Sequence, residues 1–215
     1  MVGERGARKR RANGEESRRR ILDAAVEVAG ERGYEGTTIN LVSARCGLPA
    51  SSIYWHFKDK DELIAAVIER SFGAWLDAMT LPDADDAADP AVRARRRALG
   101  MAARVAKSLS DSPDFLRLGL MLALERRPEE PTARTMFLQV RKVAQDRLSA
   151  AIAELAPDLD PAAVRRVSHY ALAAADGLFI AHEIGGDDVD LPGLFELHAH
   201  ALIDTVDRLR DHADA

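Results

Sequence analysis

From Ser17 onward, apolar residues recur at the three- and four-residue spacing of an amphipathic helix, and no stretch alternates apolar with polar residues long enough for a strand. Ile21, Leu22, Ala25, Val28 and Ala29 mark a first helix that stops near Gly33. Thr37 or Thr38 supplies a capping hydroxyl for a short second helix bearing Ile39, Val42, Ser43 and Cys46 on one face. Gly47 ends that helix. Pro49 opens a third, which runs through Ile53 to about Phe57. Asp59 followed by Glu62 resembles a capping box, and Leu63, Val67, Phe72, Trp75, Leu76 and Met79 continue the apolar face of a fourth helix. After an acidic, Pro-bounded loop over 81–90, helices are predicted over 91–110, 113–126, 131–155, 161–184 and 191–211. Pro113, Pro131, Pro161 and Pro192 sit near their starts, where a missing amide proton costs nothing. The expected fold is all-α, with about nine helices: an N-terminal three-helix helix-turn-helix domain and a larger helical domain.

The expected divisions are a disordered basic arm over 1–16, a helix-turn-helix domain over 17–62 and a larger domain over 63–215. The longest run free of Asp, Glu, Lys and Arg is Cys46 to Phe57, 12 residues. A membrane-spanning helix needs about 20 apolar residues, so no membrane partner is expected. The basic N-terminus is not followed by an apolar stretch, which argues against a secretory signal. Cys46 is the single cysteine and cannot form an internal disulfide, so a cytoplasmic location is expected. The net charge of -5 hides an asymmetry: residues 1–60 hold 12 Lys and Arg against 8 Asp and Glu. A basic end on an acidic body suits contact with DNA phosphates; a solvated tail is the alternative.

The stretch Thr37 to Leu63 carries the chemistry. Two short helices joined by a turn at Gly47 have helix-turn-helix spacing. The second, Pro49 to Phe57, is uncharged yet holds Ser51, Ser52, Tyr54, Trp55 and His56 around one core residue, Ile53. Hydroxyls and aromatics of this kind bond phosphates and base edges and touch thymine methyl groups. Composition alone leaves open a buried connector helix, with Trp55 and Phe57 as core.

Together, these residues resemble the N-terminal domain of the tetracycline-repressor (TetR) family over about residues 17–70. The matching positions are Thr37, Thr38, Ile39, Val42, Gly47, Leu48, Ile53, Tyr54, His56, Phe57, Lys60 and Leu63, with the upstream Ile21-Leu22-Asp23-Ala24-Ala25 and Gly33-Tyr34. Ser43 and Cys46 replace small alanines, Pro49 a serine cap and Ser51 a glycine, and Ala29 stands where an aromatic is common. The resemblance implies that Thr38, Tyr54 and Lys60 bind phosphate, that Ala50, Ser51 and Ser52 face base edges, and that Trp55 and His56 lie at the groove wall. Residues Arg8 to Arg11 then add electrostatic pull or enter a minor groove. It further implies a repressor of a palindromic operator in double-stranded DNA, working as a homodimer and released by an unknown small, largely apolar inducer.

In the larger domain, Met and aromatic residues suit an adaptable apolar pocket, with Trp75, Met79, Met101, Leu118, Met121, Phe137 and Tyr170 as candidate lining. The small-residue segment Ala171 to Ala181 suits a tight seam, and by the resemblance the last two long helices pair with those of a second subunit. Leu172, Ala175, Leu178, Phe179, His182 and Leu202 are the expected interface residues; ordinary core is the alternative. Phosphate loops, dinucleotide glycine patterns and nucleophile elbows are missing from the sequence. His182-Glu183 lacks the second histidine of a zinc-protease helix, and His198 and His200 diverge on one helix. No catalytic residue, metal site or cofactor is expected. The rival reading is a small all-helical enzyme or metal-binding protein with no DNA role.

Overall fold

The computed structural model describes residues 2–83, 89–124 and 131–213. These residues are helical, without strands, in the order α1 (Val2–Gly36), α2 (Ile39–Cys46), α3 (Ala50–His56), α4 (Lys60–Ala78), α5 (Pro90–Asp111), α6 (Asp114–Leu124), α7 (Thr132–Leu155), α8 (Pro161–Gly185) and α9 (Leu191–Ala213). A 3₁₀ turn, Gly186–Asp188, precedes α9. Residues 84–88 of the expected loop and 125–126 of the expected sixth helix lie outside the described residues.

The first correction concerns the N-terminus. The arm expected to be disordered over 1–16 is helical from Val2 and continues into the Ser17 helix without a break. Arginine, alanine and glutamate are good helix formers, and a helix nucleated by a buried downstream face extends at low cost into such residues. The run is interrupted at Gly33, whose φ of 68° lies in the left-handed region open to glycine.

The described chain packs as two compact units. The first comprises residues up to Phe72 together with Asp114–Val140; the second comprises Gly73–Pro113 and Arg141–Ala215. The boundary expected near residue 62 falls within α4. Moreover, α6 packs against α1, in the first unit. Ile21, Leu22, Val28, Val42, Ile53, Phe57, Leu63 and Ile64 form that unit's buried interior with Phe115, Leu116 and Leu118. Each fully buried Leu, Ile or Phe contributes roughly 1.5–3 kcal/mol. Asp61 ties three elements together: its carboxylate accepts hydrogen bonds from Tyr34 Oη and from the amides of Thr132 and Ala133 at the start of α7.

In the second unit α9 packs against both α5 and α8. Asp160 caps α8 by accepting from the amides of Ala162 and Ala163. Between α7 and α8, Arg141 grips Asp176 with two bonds of 2.8 and 2.6 Å. Burial nonetheless pushes the Asp176 carboxyl above its ordinary value.

Candidate nucleic-acid interface

Local sequence builds the α2–turn–α3 hairpin. Thr38 is the N-cap of α2, and its hydroxyl oxygen accepts from the Leu41 amide at 3.3 Å. Gly47 closes α2 with a φ of 67°, donating its amide to Ser43 O. Ser43 Oγ then donates to Leu48 O at 2.7 Å and fixes the turn. Pro49 takes the N-cap position of α3 with no side-chain cap, and its carbonyl accepts from the Ser52 amide at 2.8 Å. Asp59 accepts from the Glu62 amide, while Glu62 accepts from the Lys58 amide, so α4 begins on a reciprocal pair.

The inward face of α3 is Ile53, fully buried, and Phe57 follows it into the core. Its outward face is Ser51, Tyr54 and Trp55; Tyr54 is 56% exposed and Trp55 76% exposed. The connector alternative, in which Trp55 is core, does not fit these exposures. Ala50, Ser52 and His56 are half-buried at its margin, and Thr38 is exposed on the same hairpin. Partial burial and the neighbouring Arg18 hold the His56 imidazole below its ordinary value, so it is neutral at pH 7. Lys60 is folded back: Nζ donates to Tyr34 O at 3.1 Å, lies 3.6 Å from Glu35 and sits over the Tyr34 ring. Its charge is therefore shared with these partners in the free protein.

Sequence reasoning missed the contribution of α1. Arg20 donates to Cys46 O at 2.7 Å, at the end of α2. Arg18 stacks over the Phe57 ring, and a side chain added at Gly14 would meet the Trp55 ring. Arg45 of α2 bonds both Glu27 and Glu31 of α1. The signal lay in the basic run 18–20, which reads as ordinary solvated helix until the third helix is placed beside it.

The second unit holds a half-open cavity of about 680 Å³, lined chiefly by apolar side chains of α5, α7, α8 and α9. Trp75, Met79 and Met101 line it, as do Leu172, Ala175 and Leu202, which were expected at a subunit seam. The other pocket candidates lie elsewhere. Leu118 and Phe137 are core of the first unit, where Phe137 packs on Gly119; Met121 lies beside Gly33; and Tyr170 is exposed. Phe179 is buried within its own chain, Leu178 is half-buried, and His182 Nδ1 bonds Val189 O at 3.0 Å. The physical reason is the rotation of α8. Val164, Val167, Ala171 and Leu172 turn inward, leaving Tyr170, Ala173, Gly177, Ile180 and Ile184 as the outer stripe. A small-residue run does not by itself say which side of the helix is sheltered. Among the described residues no group of three His, Cys, Asp or Glu side chains is placed to hold a metal, and no helix is long and apolar enough to cross a membrane.

Fold and surface define the class: a helix-turn-helix protein with an exposed, uncharged second helix. Residues 21–67 match the model of bacterial regulatory proteins of the tetR family. Over this N-terminal segment the chain is similar to the tetR family of bacterial regulatory proteins. It is 40% identical over 62 residues to the HTH-type transcriptional regulator SrpR of Pseudomonas putida, 29% of either chain. The chain thus aligns with less than a third of that relative's length. Solved structures extend the likeness in fold. SmeT, the repressor of a Stenotrophomonas maltophilia multidrug efflux pump, has a TM-score of 0.64 at 23% identity, covering 87% of this chain and 89% of its own. FadR from Bacillus subtilis, solved in complex with stearoyl-CoA, has a TM-score of 0.65 at 20% identity, covering 86% and 96%.

Proposed function

We propose that the chain is a cytoplasmic transcriptional repressor that binds a palindromic operator in double-stranded DNA as a homodimer and is released by a small, largely apolar ligand. The exposed hydroxyl and aromatic face of α3 carries this reading: a surface helix without charge, held by capped turns, is matched in chemistry to a major groove. Thr38 and Tyr54 supply phosphate bonds, joined by Lys60 once it swings from Tyr34 O; Ala50, Ser51 and Ser52 approach base edges, with Trp55 and His56 at the groove wall. The outer stripe of α8, with Leu197 on α9, supports pairing with a second copy; Ile184 there is 83% exposed. Two-fold pairing sets two reading helices about one DNA turn apart. The apolar cavity supports the ligand-release part, as does the FadR neighbour, whose bound ligand carries a long apolar chain.

Selection from a random DNA pool, followed by a gel shift with the wild type and Tyr54→Ala, tests the proposal. An enriched inverted repeat, bound by the wild type and lost by the variant, is the expected result. A pool that stays unenriched at every salt concentration overturns it.

A further inference from the structure

Apart from the charged cluster, the cavity lining holds two uncharged polar side chains, Trp75 and His198. Arg95, Asp158, Asp207 and Arg210 come from the first turns of α5, the α7–α8 connection and the last turns of α9. Their charges cancel. Arg210 is held by Asp158 at 2.8 Å and by Asp207 at 3.2 Å, and Arg95 donates to His200 Nδ1 at 2.7 Å. An anion must compete with Asp158 and Asp207 for Arg210, and with His200 for Arg95.

His198 sits with Phe195, Ala199 and Leu202 on the cavity face of α9. Its ring meets Phe195 edge-on, and its Nε2 lies 3.2 Å from Ala171 O on α8, another lining residue. A carbonyl oxygen only accepts, so Nε2 carries the ring proton. Burial holds the imidazole below its ordinary value, so the ring is neutral at pH 7 and Nδ1 is a bare acceptor. A ligand that offers only acceptors there, such as an ester, a thioester or a carboxylate, sets lone pair against lone pair. A hydroxyl or N–H completes the bond.

We propose that His198 selects the cavity's ligand: an uncharged, apolar molecule with one hydroxyl or N–H group that donates to His198 Nδ1. The proposal rests on the reading of the cavity as a ligand site. It is tested by displacement of the fluorescent probe N-phenyl-1-naphthylamine from the full chain by three compounds of one shape: 2-naphthol, 2-methoxynaphthalene and 2-naphthoate. The wild type is expected to bind 2-naphthol about tenfold more tightly than either of the others, the worth of one hydrogen bond at ~1.4 kcal/mol. His198→Phe removes the acceptor and should reduce the preference for 2-naphthol over 2-methoxynaphthalene to under about threefold. His198→Asn restores an acceptor oxygen and should keep part of the preference, which decides the matter if the Phe variant binds nothing. Equal displacement by all three compounds, tightest binding by 2-naphthoate, or a preference that survives His198→Phe each overturns the selection by His198 alone. A wild type that never binds the fluorescent probe or 2-naphthol overturns the ligand-site reading itself.

Discussion

At the scale of single residues, affinity for DNA and preference among sequences should separate. Tyr54→Phe removes the proposed phosphate bond and should weaken binding to every sequence alike, by about three- to tenfold. Ser52→Ala should instead alter the preferred bases; a salt-controlled gel shift on scrambled operators distinguishes the two, and equal loss on all sequences removes Ser52 from base reading. Packing gives a second test. A Cβ at Gly119 would lie 2.0 Å from Phe137 Cδ2, so Gly119→Ala should destabilise the chain by about 1–3 kcal/mol in denaturant unfolding. The Gly47 turn and the Asp59–Glu62 pair were legible because each is written within four residues of sequence, while the same local reading narrowed the α2 cap only to Thr37 or Thr38. The hold of Tyr34 and Glu35 on Lys60 was not, since it depends on helices that meet only after folding. The same reason divides the pocket candidates. Trp75, Met79 and Met101 reach the cavity while Leu118 and Phe137, alike in chemistry, fill the other unit's core.

At the scale of elements, the starts of α5 and α8 were readable to within a residue because prolines and caps mark them, as at Pro90, Pro161 and Asp160, whereas the start of α1, which no such residue marks, was missed. Helical rotation was harder to read. On α8 an alanine-rich run offers the same small side chains to both sides, and burial alone distinguishes Leu172 from Ile180. The helical start of α1 has a measurable expectation. Residues 2–12 carry five Lys and Arg against one Glu. Removing them should weaken DNA binding and flatten its dependence on salt concentration, because fewer counterions are released. An unchanged slope shows that the extension stays clear of the duplex.

At the scale of the whole molecule, assembly and pH are the accessible variables. Ile184→Glu places a charge on an exposed position, so folding should be unaffected while a dimer dissociates at micromolar concentration; sedimentation measures this. Two histidines set the response to mild acid. His56 and His198 have folded-state values held below the ordinary imidazole range by burial, so the unfolded chain binds protons first as pH falls. Stability should be full above about pH 6.5 and decline as pH is lowered through that value. Urea midpoints from pH 7.5 to 5.5 should show the decline, and His198→Phe should make it shallower.

Arg45 spans two carboxylates one turn apart on α1, at 2.8 Å from Glu27 and 2.9 Å from Glu31. A forked guanidinium held on both sides fixes direction as well as distance. The setting of α2 against α1 is thus held by residues outside the proposed reading helix. A proposed reading segment transplanted from a relative should keep its own base preference better when Glu27 and Glu31 travel with it, which a gel shift with both chimeras measures.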